Sequence, residues 1–469
     1  MNQRNNCVFL HVATNTFFNT LFEYAKELKN RNLFPLMYFD TPYTTLEIDL
    51  KKLRNENIQY ELDLPANFDA RDSSINQVYF ISLKIIRRID YYLFSGFFFE
   101  YLRLKLKYNK LKYLLFACQS QIVLMISDLV QYDTGLIIKT AHERKIKVIL
   151  LPLFAANYKE AVEHNYNNNS LQLSHWNFQL FSKITWLKKW IINFKGKFMI
   201  RLPFHKIVVK EVFGVAPQNP WAINTGGADL MIVEGNAVKR LFLHAHSYDS
   251  SRIKALGSIN LDKLHDTMQN RNYLLEQMNR EFKLDPRKKN VLVAVPADMH
   301  ASRGANSDFS HYNDLIEFWL SSIKNLSNYN IILSVHPSVP QNERDYFIKK
   351  GFNLLDKPTV TYIALFDLYI ASISATIQWA IACGIPVINY DDYKYDYDDY
   401  LGVEGVKYVT TKLDFLQVIK QFNDIETLEY YTAMQKTVSH EWGIVDGEGV
   451  TRIIKLIDNE IIKHATTEP

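Results

Sequence analysis

LFDLYIASISATIQWAIACGIPVINY, residues 365–390, decides the architecture. Residues 365–372 are apolar enough to predict a buried strand. Residues 373–384 have helical spacing, and Gly384-Ile385-Pro386 leads into a second apolar run at 385–393. A helix joining two buried strands is the unit of a parallel sheet covered on both faces. Upstream the unit repeats: strands over 289–298 and 330–337, with helices over 312–326 and 343–351. The first half alternates in the same way. CVFLHVA (7–13), FPLMYFD (34–40), IVLMISDL (122–129) and KVILLPLF (147–154) read as strands, and 17–32 and 134–145 as helices. A helical stretch near 264–283 and the linker LDPRKKN separate the two runs, so the expected fold class is α/β with two doubly wound domains and a helical, basic-aromatic insertion. The boundaries predicted are 1–255, with an insertion at about 158–225 that breaks the rhythm, then 256–430, then closing helices over 431–469.

A chain of 469 residues, 48% of them apolar, suffices for two cores. The net charge of +4 selects no partner by itself, and three scattered cysteines (Cys7, Cys118, Cys383) exclude a disulfide framework or a zinc cluster. The apolar run near the N-terminus is too short for a signal-peptide core or a membrane span, and no other stretch is longer than a soluble core requires. A cytoplasmic protein is expected, peripheral on the inner face of the membrane if it meets one.

In open α/β sheets, ligands bind beyond the carboxyl ends of the strands. The residues expected there in the second half are Pro296-Ala297-Asp298, His336-Pro337-Ser338, Ser372-Ile373-Ser374-Ala375-Thr376 and Asn389-Tyr390-Asp391-Asp392. Ser374 and Thr376 open a helix, whose unpaired N–H groups attract phosphate; ordinary N-capping by either hydroxyl is the alternative. A histidine where a strand ends, its turn set by Pro337, can donate to a phosphate oxygen or steady a departing diphosphate. A histidine satisfied by backbone is the alternative there. About 40 residues and one βα unit apart, the two features can face one crevice. The acidic run DDYKYDYDDY (391–400) is expected to be a solvated loop at the cleft rim rather than a metal site, because tyrosines interleave it and no histidine is near.

His336-Pro337-Ser338 followed by 365–390 resembles the C-terminal nucleotide-binding domain of GT-B glycosyltransferases. The likeness is to bacterial surface-carbohydrate enzymes: sialyltransferase-like proteins of capsule and lipo-oligosaccharide (lipopolysaccharide) synthesis, and CDP-glycerol transferases of the teichoic-acid type. RIKALGSINLDKL (252–264) is similar to the entry of that domain, and DGEGVTRIIKLI (446–457) to its closing helix. The likeness spans roughly 229–457. It implies two Rossmann-like domains in the GT-B arrangement, with the nucleotide-sugar donor held by the second. His336, Pro337, Ser338, Ser372, Ser374, Thr376, Gln378 and Asp298 would form the donor site, without a bound metal and with no cofactor besides the donor substrate. A CMP-activated acidic sugar is the first donor expected. The same helix start resembles nucleotide-sugar 2-epimerases, whose segment runs Ser-Gly-Gly-x-Gln-Glu-Glu. Gln378 matches, but Trp379 and Ala380 stand where the two carboxylates would be.

Inverting transfer needs a base for the acceptor hydroxyl. The strand-end candidates in the first half are Asp128, His11 and Asp40, joined by Glu160 after the fourth apolar run; Glu234 reads as either a base or a turn residue. From His164 to Lys210 there is no acidic residue, and FSKITWLKKWIINFKGKFMIRLPFHK (181–206) mixes lysines with Trp186, Trp190, Phe194 and Phe198. Residues 91–113 are similar. Segments 84–113 and 183–210 therefore suit an anionic membrane surface, or else bury their aromatics and solvate their lysines. Nothing resembles a nucleic-acid-binding module. Glycosyl transfer to a surface glycan is the leading functional expectation. The alternatives are a 2-epimerase-type isomerase and a non-catalytic glycan- or membrane-binding scaffold.

Overall fold

The computed structural model describes residues 6–40, 43–63, 90, 96–152, 157, 159–244, 248–336 and 339–467. Its strands are β1 (Cys7–Val12), β2 (Phe34–Phe39), β3 (Gln59–Leu62), β4 (Ser120–Met125), β5 (Lys147–Leu150), β6 (Gln172–Leu173), β7 (Ile191–Phe194) and β8 (Lys197–Ile200). They continue as β9 (Leu230–Val233), β10 (Ile253–Ala255), β11 (Lys289–Ala294), β12 (Tyr329–Ser334), β13 (Asn353–Leu354), β14 (Leu368–Ala371), β15 (Val387–Tyr390) and β16 (Val406–Val409). Two wholly parallel sheets dominate, ordered β10-β9-β5-β4-β1-β2-β3 and β13-β12-β11-β14-β15-β16. The fold class is therefore α/β with two Rossmann-like lobes. The central strands are buried on both faces because they are apolar at successive positions, as in VFL (8–10) and LYIA (368–371).

The inserted region is only partly helical: helices Glu160–Asn165, His175–Phe181 and Phe204–Val212 flank a small antiparallel sheet, β6-β8-β7, formed by much of the basic-aromatic stretch. The Lys195-Gly196 turn, both residues at positive φ, closes the β7–β8 hairpin. Trp190 sits fully buried in the core beneath this sheet and donates to Glu211 Oε1 at 2.6 Å. Two further segments differ from expectation. The stretch near 264–283 is two helices, Ile259–Gln269 and Arg271–Phe282, meeting at Asn270. The helix read over 373–384 is confined to Ile377–Ala382, because residues 372–376 are drawn into a tight turn.

After helix Ile425–Trp442 the chain crosses back to the first lobe. Gly235 makes that crossing possible: a Cβ there would lie in hard overlap with the Glu441 carbonyl and the Trp442 backbone. The final helix, Gly449–Thr467, then packs Ile453, Ile454 and Ile457 into the core cluster that also holds Val8, Leu10 and Leu124. Its start is fixed by Asp262, whose carboxylate accepts the N–H groups of Gly449 and Val450, each at 2.8 Å. A carboxylate there satisfies two orphan donors and complements the helix dipole.

Candidate active site between the lobes

Because β11, β12, β14 and β15 are parallel neighbours, the residues that follow them emerge at one edge of the second sheet. His336 follows β12 and is exposed; Ser372 follows β14, two strands away. At strand spacings of about 4.8 Å, the two backbones leave the sheet roughly 10 Å apart. Pro337 and Ser338 lie outside the described residues. Asp298, at the end of the intervening strand, is exposed and uses one oxygen to accept the His300 N–H at 3.0 Å.

The 372–376 turn is held in an unusual shape. Ile373 has φ +40°, left-handed backbone that a β-branched residue adopts only under constraint. Its N–H is fastened to Asn389 Oδ1 at 3.0 Å, and Ser372 Oγ donates to Asp392 Oδ1 at 2.6 Å. Ser374 and Thr376 join their hydroxyls at 2.7 Å, and Thr376 also meets the Tyr369 hydroxyl. The N–H groups of Ser374 and Ala375 donate to no described protein acceptor, and they belong to a half-exposed turn. Asn389 and Asp392 are thus positioning residues. Only their place after a strand marks them in the sequence.

Asp391 and Asp392 are not solvated. Both are buried, and Asp391 organises the acidic run by accepting from the N–H groups of Tyr395 (2.9 Å) and Asp396 (3.0 Å) and from the Tyr408 hydroxyl (2.8 Å). Burial pushes the Asp392 carboxyl up to about 7, with the neighbouring Asp391 charge adding to the effect and the Ser372 hydrogen bond opposing it. The run is therefore a rigid wall rather than a loose rim, and it meets the first lobe. Asn157 donates to Asp399 at 3.0 Å, Lys159 Nζ reaches the Asp396 carbonyl at 3.0 Å, and Tyr397 donates to Glu163 at 2.9 Å. Glu163 also pairs with Arg303 of the second lobe.

Among Asp128, His11 and Glu160, only Glu160 is found beside this acidic wall; Asp40 pairs with His11, and Glu234 with Gln378. Glu160 opens helix Glu160–Asn165. It is solvent-exposed, but desolvation by its surroundings and the carboxylate of Asp399 push its pKa up, and Asp399 itself is raised to about 6 by burial and by Asp398. Asp128 and His11 are corrected by their surroundings. Asp128 is buried, and its carboxylate is committed to the N–H groups of Thr225 and Gly227 and to the Tyr248 hydroxyl, so it builds the turn before β9. His11 is buried against Asp40 at 2.9 Å beneath helix Phe97–Ala117, in a network continued by Lys107, Asp133 and Arg103. Neither is open to an acceptor hydroxyl.

Gln378 is corrected as well. It is fully buried, and its amide donates to Glu234 of the first lobe, which also accepts from Ser258. Gln378 therefore pins the lobes together beneath the 372–376 turn, with its amide engaged inside the protein. Burial raises Glu234 to about 7 against the hydrogen bonds from Ser258 and its other donors. A carboxyl whose folded pKa lies above its unfolded value of 4.5 stabilises the fold fully below 4.5, and that contribution is lost as pH rises towards 7. The span corresponds to roughly 3 kcal/mol. Glu234→Gln is accordingly expected to flatten the loss of stability between pH 4.5 and 7 and to exceed the parent above it. Urea melts at several pH values check this, and equal slopes in both proteins would refute it.

No known family model and no curated protein matches the chain. Solved structures do. A UDP-GlcNAc 2-epimerase from Neisseria meningitidis, bound to UDP-GlcNAc, is similar over 97% of this chain and 100% of its own, at 14% identity and TM-score 0.53. The MnaA–UDP structure from S. aureus matches over 99% of both chains, at 14% identity and TM-score 0.52. The wall teichoic acid polymerase TagF, soaked with CDPG as a histidine variant, matches over 98% of this chain and 90% of its own, at 13% identity and TM-score 0.52. The chain has the GT-B fold.

Proposed function

We propose that this GT-B chain is a nucleotide-sugar enzyme: a metal-independent, inverting glycosyltransferase that builds a cell-surface glycan such as capsule or lipo-oligosaccharide. The two-domain division at about residue 255 gives the first lobe the acceptor and the second the donor. The observation that carries this reading is the constrained 372–376 turn, with two N–H groups that donate to no described acceptor, sharing a sheet edge with His336. Those donors suit the phosphates of the donor and the charge that grows on them as the glycosidic bond breaks. His336 and Asp298 border the same edge, and Glu160 deprotonates the acceptor hydroxyl from across the cleft. The binding of UDP-GlcNAc, UDP and CDPG by similarly folded proteins supports a nucleotide donor. The CMP-activated acidic sugar stays the first choice on the His-Pro and Ser/Thr resemblance. A thermal-shift series with CMP, UDP, CDP and GDP tests the donor: one nucleotide should raise Tm well above the rest, and no response to any of the four would overturn the reading.

The competing reading is an epimerase, favoured by the epimerase neighbours but opposed at the helix start. Ala380 is buried and Trp379 is apolar where the resemblance calls for carboxylates. Conversion of a nucleotide-sugar in the absence of any acceptor would establish it.

The acceptor side includes a membrane-facing surface. Among the described residues no helix is long and apolar enough to cross a bilayer. Helix Phe97–Ala117 nevertheless exposes Leu102, Leu106, Tyr113 and Phe116, with Lys105 and Lys112 among them. Phe204, stacked on Phe181 at 5.5 Å, and Trp176 extend the exposed aromatics along the neighbouring helices. Residues 84–89 and 91–95 of the first basic-aromatic segment lie outside the described residues. Interleaved lysines and aromatics suit an anionic headgroup layer, at about 1 kcal/mol per lysine. Co-sedimentation with vesicles containing anionic lipid should be strong at low salt and fall several-fold in Leu106→Glu; equal binding to neutral vesicles would refute the surface.

A further inference from the structure

A cavity of about 440 Å³ lies in the first lobe, between helix Thr134–His142 and the turn that follows helix Phe204–Val212. It is separate from the donor turn, and of the residues discussed above as bases only Asp128, already saturated with donors, borders it. Its lining is mixed, with an apolar side formed by Val130, Ile138, Val215 and Pro217. Into it comes Lys210, 5% exposed, whose ammonium makes no hydrogen bond or ion pair to any described residue. The carboxylates that face it, Asp133 and Glu100, are already held by Arg103, and Asp133 also by Lys107. The two other cations and bases at the cavity are likewise engaged, Lys139 with Glu143 at 3.1 Å and His142 with Asp229 at 3.0 Å. An ammonium buried without a partner is costly, and proteins keep one where a counter-ion arrives. Burial holds the Lys210 pKa below its ordinary value, in keeping with a charge that lacks its partner.

We propose that this cavity is an anion-binding subsite in which Lys210 takes a phosphate monoester and the Val130–Ile138–Val215 wall takes the apolar body attached to it. Helix Phe204–Val212 carries both Lys210 and the exposed Phe204, so the subsite lies under the aromatic surface. That the phosphate belongs to the acceptor rests on the transferase reading; the anion site itself does not.

The test compares inorganic phosphate with hexyl phosphate by thermal shift on the full chain and on Lys210→Met, which keeps the aliphatic stem and removes the charge. Hexyl phosphate is expected to raise the parent Tm by several degrees, with at least tenfold weaker binding to Lys210→Met. Ala216→Trp, which narrows the cavity while keeping the lysine, is expected to weaken hexyl phosphate in the same way. A larger response to hexyl phosphate than to phosphate assigns a lipid-like ester, and equal responses assign free phosphate. No response in the parent, or an undiminished response in Lys210→Met, overturns the subsite. Nucleotide shifts are read in parallel: a chain that answers to hexyl phosphate but to no nucleotide keeps this subsite and loses the transferase reading.

Discussion

Glu160→Gln is expected to lower kcat by roughly 10²–10⁴, the range associated with a positioned general base. The amide keeps the shape and polarity of the carboxyl at the start of helix Glu160–Asn165 but cannot take a proton. Donor affinity should be unchanged, because the proposed nucleotide site is on the other lobe. The pH profile gives a second readout that a structural role would not move. Desolvation and Asp399 raise the Glu160 pKa. A base must be unprotonated to act, so kcat/KM should fall on the acid side of a pKa above the ordinary carboxylate value, and that acid limb should vanish in the variant. Parent-like turnover in Glu160→Gln would remove this residue from the mechanism and return the search for a base to the first lobe.

His336→Ala is expected to cost at least about 10²-fold in turnover, as the loss of one preorganised donor to a developing charge does. The imidazole stands exposed at the end of β12, on the sheet edge shared with the 372–376 turn, so its removal opens no core cavity and Tm should barely move. That separation is useful, since a rate loss without a stability loss localises the effect to the transition state. His336→Gln keeps a neutral donor and should recover part of the loss if hydrogen bonding, rather than positive charge, is what matters. An alanine variant as fast as the parent would leave the turn N–H groups to act alone.

Much of this fold is readable because a buried parallel strand leaves a continuous apolar run, and a strand end leaves a polar residue beside it. VINY (387–390) and LYIA (368–371) announce themselves in that way, and the ligand-facing edge follows from direction alone. Asp128 shows the limit of such reasoning. It follows a clean strand as a catalytic carboxylate would, but backbone N–H groups nearly a hundred residues later claim both oxygens. Gln378 misleads for a related reason, since its partner Glu234 comes 144 residues earlier in the chain. The basic-aromatic insertion reads as helical because its hydrophobic period is weak, and the hairpin is set by two positive-φ residues, Lys195 and Gly196, of which only the glycine is suggestive. Lys210 carries no sequence signal at all: burial of a lysine is decided by packing.

The return of helix Gly449–Thr467 to the first lobe bears on how the polypeptide is made. Ile453, Ile454 and Ile457 cover one side of a sheet whose first strand leaves the ribosome some 440 residues sooner. Until then Val8, Leu10 and Leu124 have an incomplete roof, so the first lobe cannot be finished before the second has been synthesised. Nascent chains of this protein therefore present an apolar surface throughout the synthesis of the second lobe, and demand for chaperone shelter should ease only when these isoleucines emerge.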